Sequence, residues 1–391
     1  MTEQASDPTI EHRDEADAGE SLAASTSEAS LRRTEERSAA IEEQIGKDPS
    51  GFRMLTGDRP TGNLHIGHYF GSLTNRLRLQ NAGVETFIVI ADYQVIADRD
   101  GTGAICDRVY SLLTDYLAIG IDPVKTTIFT HSAVPALNQL MLPFLSLVTD
   151  SELYRNPTVK SEHEATGGRP MSGLLLTYPV HQAADILFCK ANLVPVGKDQ
   201  LPHLEQTRVV ARRFDERYGR VTPDEPVFPQ AEALLTIGGS LILGTDGTKM
   251  SKSKGNTIEL GMTADQTAKL IKRAVTDSER FITYDPDTRP EVANLLRLTG
   301  LCTGRDPRAI ADEIGNGGGG TLKKMLTEAL NETLAPVRER RTDLADDPAY
   351  LAELLARKVD PNVANAVTGA SPLRSALMGE RAEQFHALLA A

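Results

Sequence analysis

The chain reads as an α/β protein, a doubly wound parallel sheet followed by an all-helical C-terminal region and preceded by an acidic extension. Three observations lead there. Short apolar strand candidates at Arg53 to Thr56, Glu85 to Ala91, Thr126 to Thr130 and Leu193 to Val196 alternate with helical stretches at His68 to Asn81, Ala104 to Ile119, Pro135 to Leu147 and Gln200 to Tyr218. Apolar strands joined by helices form a parallel sheet covered on both faces. After Asn256 strand signals fade, and Thr263 to Val275, Pro290 to Leu301, Leu322 to Arg341, Pro348 to Lys358 and Pro372 to Leu389 read as helices, several with proline near the start. Gly317 to Gly320 reads as a flexible turn between them. Residues 1 to about 48 are rich in Glu, Ala, Ser, Thr and Asp, which predicts no fixed structure beyond a fraying helix over Leu31 to Ile45. The expected division is an extension at 1–50, an α/β catalytic domain at 51–260 and a helical domain at 261–391.

Composition narrows the classes. The 391 residues carry a formal charge of −12, yet residues 1–50 hold 13 acidic against 5 basic side chains, so most of the excess sits in the extension. The rest is mildly acidic, and basic clusters at Lys269, Lys272 and Arg273 or at Lys323, Lys324, Arg338, Arg340 and Arg341 are candidate contacts for nucleic-acid phosphates, although such clusters more often lie on solvated helix faces. Cys106, Cys189 and Cys302 form no CxxC pair, which argues against a zinc ribbon or a disulfide framework and fits a reducing compartment. No metal site is expected from the protein's own ligands. No run approaches the ~18 apolar residues of a membrane span, and the N-terminus lacks the apolar core of a signal peptide. A soluble, cytoplasmic protein without membrane or DNA partners is expected.

Two strings 184 positions apart carry the chemistry, His65-Ile66-Gly67-His68 and Lys249-Met250-Ser251-Lys252-Ser253. The first follows a strand and a loop of Gly57, Arg59, Pro60, Thr61 and Gly62, and opens a helix. A strand, glycine loop and helix start present backbone N–H groups to phosphate, and the glycines permit close approach. Two histidines three residues apart share a helical face and can donate hydrogen bonds to a phosphoryl group whose charge grows in the transition state. The second string lies in a Gly, Asp, Thr, Ser and Lys-rich loop, where Lys249, Lys252 and Lys254 can close over a leaving pyrophosphate. Each half alone is compatible with ordinary structure. Together they describe a two-part ATP site in an enzyme that activates a carboxylate.

With Leu176-Thr177-Tyr178-Pro179, Gln182-Ala183-Ala184-Asp185-Ile186, Val194-Pro195-Val196-Gly197-Lys198-Asp199-Gln200 and Ala274-Val275-Thr276-Asp277-Ser278, the chain from about Phe52 resembles the class I aminoacyl-tRNA synthetases and, within them, the bacterial tryptophanyl-tRNA synthetase family. The resemblance implies a Rossmann-like sheet bearing the HIGH and KMSKS signatures. It also implies ATP with its Mg²⁺, L-tryptophan and tRNA(Trp) as ligands, and a homodimer. It assigns catalysis to His65, His68, Lys249 and Lys252. ATP binding falls to Gly57, Arg59, Pro60, Thr61, Gly67, His68, Gly197, Lys198, Asp199, Lys249, Met250, Ser251, Lys252 and Ser253. The tryptophan site falls to Tyr178, Gln94, Gln182, Gln200 and Asp185, and Lys160 resembles a lysine that faces phosphate.

The residues support the Asp185 assignment independently. A tryptophan pocket is apolar yet needs an acceptor for the indole N–H. Asp185 sits among small and apolar residues on a buried helix, where a carboxylate is costly without a partner. The alternative is a structural pairing of Asp185 with an internal Arg or Lys. Three departures from the family pattern stand out: His68 replaces a common asparagine, Arg59 a glutamine, and Gln94 and Gln182 replace His and Met. The last pair is similar to the divergent auxiliary enzymes, some of which tolerate tryptophan-mimicking inhibitors. The rival readings are a tyrosine–tRNA ligase, which shares the fold and both signatures, a small-molecule nucleotidyltransferase, which has no need of the helical region, and a non-catalytic RNA- or protein-binding paralogue.

Overall fold

The computed structural model describes residues 31–96, 104–219, 226–235, 242–250 and 254–356. The readings for residues 1–30, for Ser251, Lys252 and Ser253, and for the helix at Pro372 to Leu389 lie outside the described residues. Five strands, β1 (Arg53–Asp58), β2 (Glu85–Ile90), β3 (Thr126–Thr130), β4 (Leu193–Val196) and β5 (Glu232–Leu235), form one parallel sheet in the order β3-β2-β1-β4-β5. That order reverses direction between β1 and β4, and doubly wound sheets open a ligand crevice at this point, at the carboxyl ends of the strands. The four strands read from the sequence are present within two residues; β5 was missed because Glu232-Ala233-Leu234-Leu235 is too short to show a period.

Helices cover both faces. The first, α1, spans residues 31–47. Then come α2 (Ile66–His68), α3 (Thr74–Ala82), α4 (Ile105–Ile119), α5 (Pro135–Gln139), α6 (Met141–Leu145), α7 (Asp150–Arg155), α8 (Pro157–Ala165), α9 (Gly173–Phe188) and α10 (Leu201–Tyr218). The C-terminal region holds α11 (Ala264–Arg273), α12 (Pro290–Thr303), α13 (Pro307–Ile314), α14 (Gly318–Ala345) and α15 (Pro348–Ala356). Local chemistry sets their ends. Thr149 with Glu152 and Thr263 with Gln266 form reciprocal caps at the starts of α7 and α11, and Gly83 and Gly120 end α3 and α4 at φ +98° and +107°, where a Cβ would be strained.

Three expectations are corrected here. The disorder expected to about residue 48 fails for residues 31–47. Ile41 and Ile45 are buried against Met54, Leu79, Val84, Leu193 and Leu234, and Ser38 Oγ bonds Ala233 O and receives Leu235 N–H on the sheet edge. Burying two isoleucines returns about 1.5–3 kcal/mol each, which fixes a helix that its composition alone leaves frayed. The single helix expected over Pro135 to Leu147 breaks at Leu140 into α5 and α6. Gly318 to Gly320, read as a loose turn, form the first turn of α14, with Gly318 turning the chain at φ +75°.

One apolar core lies on the α4 face of the sheet and runs through Leu64, Ile66, Met250, Ile258 and Leu260 into α12 and α14. The helical region therefore shares its core with the sheet. Arg341 Nε donates to Asp115 Oδ1 (2.7 Å) and Arg340 Nε to Ala118 O (2.6 Å), joining α14 to α4, while Arg338 bonds Asn331 and Thr267. The expected phosphate-facing cluster of Arg338, Arg340 and Arg341 is corrected accordingly: these guanidinium groups complete the packing of α14.

Candidate active site

At the carboxyl ends of β1, β2 and β4 a cavity of about 390 Å³ is lined by Gly57, Arg59, Gln94, Tyr178, Gln182, Asp185, Gly197 and Gln200, all singled out from the sequence. Four stretches of chain distant in sequence thus meet at the switch point. Gly57 is required by the sheet itself: a Cβ there would sit 2.3 Å from Val89 O on the neighbouring strand, so the close approach expected toward a nucleotide is instead strand against strand. Beside it, Asp58 is fixed by Arg76 Nη1 (2.5 Å) and Tyr116 Oη (2.6 Å). Burial pushes the Asp58 carboxyl up, but Arg76 outweighs that and holds it below its usual value.

Two buried hydrogen-bond networks form the wall of the cavity. In the first, Asn156 Nδ2 donates to His203 Nδ1 (3.3 Å), which leaves His203 Nε2–H to donate to the Tyr178 hydroxyl (3.0 Å). Burial holds His203 down to about 4, so it is neutral and this tautomer is the one that fits. Tyr178 in turn faces Glu162; burial first and that carboxylate second raise its hydroxyl. Glu162 also pairs with Arg59 at 3.6 Å, so Arg59, read as a cation reaching toward phosphate, has a carboxylate neighbour.

In the second network, Asp185 is 3% exposed and its Oδ1 lies 2.9 Å from His131 Nε2. The pairing with Arg or Lys weighed from the sequence is replaced by a histidine pairing. His131 follows β3 directly, lies behind the cavity and is fully buried; Asn138 Oδ1 accepts from the neighbouring His181 Nε2 (2.8 Å). His131, His181 and Asp185 bring ligand-type atoms within 4.8 Å of one another; one nitrogen of each ring is used by the Asp185–His131 and His181–Asn138 hydrogen bonds, and Mg²⁺ prefers oxygen ligands.

The histidine pair stands next to the cavity. His65 Nδ1 accepts Gly67 N–H and His68 Nδ1 accepts His65 N–H, both at 3.2 Å, and the rings lie 3.8 Å apart. A ring whose Nδ1 accepts carries its proton on Nε2, so both imidazoles are set as Nε2–H donors. The first-turn amides do not cradle phosphate as expected. Ile66 N–H goes to Ile258 O, Gly67 N–H to His65 and His68 N–H to His65 O. A π-turn over Tyr69–Leu73 follows, within which Ser72 lines the cavity and donates to His68 O (3.2 Å).

The two distant strings do meet. A Cβ on Gly67 would lie 3.1 Å from Met250 Sδ, and residues 258–260 pair antiparallel with 64–66. Asn256 ties the second loop together through Asp246, Thr248 and Lys249 O; Lys249 is exposed, and Lys254 Nζ bonds Thr248. In the nucleotide turn, Gln200 Nε2 donates to Asp199 Oδ2 (2.8 Å) and Lys198 pairs with Glu35 of α1 at 3.4 Å. Lys198, Asp199, Pro60, Thr61, the histidine pair and Lys249 do not line the cavity itself, and Lys160 is exposed on α8. Sequence reading missed His131, His203, Asn156 and Glu162. Only His131 carried a signal, its place at the carboxyl end of a strand.

Comparison with known proteins agrees with this layout. The family of class I tRNA synthetases (W and Y) matches residues 47–335. The tryptophan–tRNA ligase of Clostridium longisporum is 42% identical over 305 residues, covering 75% of this chain and 87% of that protein; the enzyme of Treponema pallidum is 40% identical over 318 residues, covering 78% and 90%. Among solved structures, tryptophanyl-tRNA synthetase from Campylobacter jejuni, complexed with ADP and tryptophan, superposes with a TM-score of 0.68 at 28% identity, covering 87% of this chain and all of that one. A match spanning most of the chain, carried by relatives well above 30% identity, settles its kinship: the chain belongs to the class I tRNA synthetases, in the tryptophan and tyrosine branch.

Proposed function

We propose that the chain is a tryptophan–tRNA ligase: the tryptophan carboxylate attacks the α-phosphate of ATP, pyrophosphate leaves, and the acyl group of tryptophanyl-adenylate passes to the 2′-hydroxyl of the terminal ribose of tRNA(Trp). The observation that carries this reading is a buried carboxylate, Asp185, in the wall of the cavity that Gln94, Gln182 and Tyr178 also line, together with the β1 and β4 turns. An indole N–H is costly to bury without an acceptor, and Asp185 supplies one. The names of the relatives support the same reading.

In this reading the nucleotide lies along Gly57, Arg59, Pro60, Thr61 and Gly67 on one side and Gly197, Lys198 and Asp199 on the other, with Gln200 near the amino acid's charged end. His65 and His68 donate from Nε2 to the phosphoryl oxygens, and Lys249 and Lys252, flanking Met250 and Ser251 and followed by Ser253, neutralise the departing pyrophosphate. Mg²⁺, when bound, would come with the nucleotide and would supply charge neutralisation at its phosphates. Asp58, a carboxylate on the cavity, is committed to Arg76 and Tyr116, which is consistent with a metal held by ATP and water. The helical region supplies the tRNA surface, the enzyme works in the cytoplasm, and it assembles as a homodimer, which sedimentation at micromolar concentration checks. ATP–pyrophosphate exchange across all twenty amino acids tests the whole reading. Exchange with tryptophan alone is expected; exchange with tyrosine in its place overturns it.

A further inference from the structure

The tryptophan reading leaves a physical problem at Asp185. A carboxylate this buried is costly unless a partner compensates its charge, and the indole N–H needs it as a fixed acceptor. The side chain that meets this problem is His131. Its Nε2 bonds Asp185 Oδ1 at 2.9 Å, and its Nδ1, which makes no hydrogen bond, lies 4.0 Å from Asp92 Oδ1. Asp92 Oδ1 accepts the amides of Tyr93 (3.1 Å) and Ser132 (3.3 Å), as a carboxylate does. A neutral His131 with its proton on Nε2 would aim an unpaired Nδ1 lone pair at the Asp92 anion. A cationic ring would instead offer a positive N–H to a carboxylate on each side.

We infer that His131 is a specificity-positioning residue: as an imidazolium held between Asp92 and Asp185, it keeps Asp185 a fixed, charged acceptor for the indole N–H. With Oδ1 committed to His131, the second carboxylate oxygen is the acceptor left for substrate. The groups around the ring agree. Burial alone would lower the His131 pKa, but Asp185 first and Asp92 after it raise it above the ordinary histidine value. His181, 4.4 Å away between ring centroids, is pushed down by burial, so it stays neutral and does not compete for the proton; the Tyr93 ring lies 6.1 Å from His131 on its other side. Among the described residues no hydrogen bond, ion pair or ring contact joins His131 to His65, His68 or Lys249. Its loss therefore acts on the amino acid and spares ATP.

The inference rests on the tryptophan reading, and one experiment separates the two. ATP–pyrophosphate exchange is measured between pH 6 and 9 with wild type, His131→Gln and His131→Asn, each checked for folding by thermal melt. Below the raised His131 pKa the ring is charged, and above it the charge is gone. The wild-type KM for tryptophan is therefore expected to rise as pH climbs through that value. His131→Gln, which keeps a neutral donor, is expected to show about a tenfold higher KM near pH 7 and to converge with wild type at high pH. The KM for ATP and kcat should stay within twofold. The substrate's own amino group titrates identically with both enzymes and cancels in the ratio. A His131→Gln profile that superimposes on wild type, or a folded variant whose ATP KM rises as much as its tryptophan KM, overturns the role of His131 alone. If both variants fail to fold, the wild-type profile decides: a tryptophan KM that stays flat while ATP KM is constant overturns it. Wild-type exchange with tyrosine in place of tryptophan is seen before any variant is made, and removes the specificity reading together with the inference that rests on it.

Discussion

The two sides of the site are built differently. The amino-acid side is a wall of buried, mutually bonded groups: Asp185 with His131, Tyr178 with His203 and Asn156, and Asp58 with Arg76 and Tyr116. The proposed triphosphate side is a histidine pair fixed by its own backbone and a segment whose exposed Lys249 is held at its carbonyl by Asn256. Discrimination needs groups that do not move, and on the proposed reading it falls among partners that are buried or half-buried. Charge neutralisation is needed only while a bond breaks, so it is placed on a segment at the surface. Damage to the wall should therefore cost stability or specificity, and damage to the loop should cost rate alone.

The largest expected effect lies in the wall. Arg76 is 4% exposed, and Arg76→Met leaves Asp58 buried without its cation, a change that costs about 3–5 kcal/mol. Chemical denaturation should show it as a lowered midpoint. The pH dependence has a definite sign. The Asp58 pKa in the folded chain lies below its unfolded value, so its pairing stabilises fully above the ordinary carboxylate pKa of about 4 and is lost as pH falls through the lowered value. Wild type should thus lose stability at acid pH more steeply than Arg76→Met; equal acid slopes would remove Asp58 from the wall.

Lys249→Ala tests the other side. Adenylate formation should fall about 10²-fold, the typical cost of one transition-state charge contact, while the unfolding midpoint moves by less than ~0.5 kcal/mol and tryptophan still binds. A loss of stability comparable to that of Arg76→Met would erase the contrast between the two sides. Between these extremes comes Asp185→Asn. It keeps the shape but loses a charge-assisted hydrogen bond worth about 1.5–3 kcal/mol, so kcat/KM for tryptophan should drop tenfold to roughly a hundredfold with ATP KM unchanged. Equal losses toward both substrates would place Asp185 in general packing.

How much of this the sequence shows follows the same contrast. Parts of the site made of contiguous chain are legible: His65 to His68, Gly197 to Gln200 and the Lys249 loop are each compatible with ordinary structure alone, and point to one chemistry only in combination. The wall is scarcely legible, because Asp185 meets His131 across 54 residues and Tyr178 meets His203 across 25; the end of a strand marks His131 as near the site but not as the partner of Asp185, and nothing local marks His203. The fold divides likewise. Strands β1 to β4 show as apolar runs, whereas α1, legible only as a fraying helix, is held because Ile41 and Ile45 find a surface only the folded sheet provides.

The smallest expected effect concerns that added helix, where seat and contact separate. Glu35 pairs with Lys198 in the nucleotide turn at 3.4 Å, but both side chains are at least half exposed, and such pairs contribute between nothing and about 1 kcal/mol. Glu35→Gln should change ATP KM by less than twofold and leave stability within ~0.5 kcal/mol. The buried seat is what holds α1, so Ile45→Ala should cost about 2–5 kcal/mol by leaving a cavity beside Met54 and Leu193. If Glu35→Gln raised ATP KM severalfold while Ile45→Ala left it unchanged, the exposed pair rather than the packed face would link the extension to the nucleotide turn. The triphosphate side would then have a fixed anchor of its own, and its description as a surface segment without buried support would no longer stand.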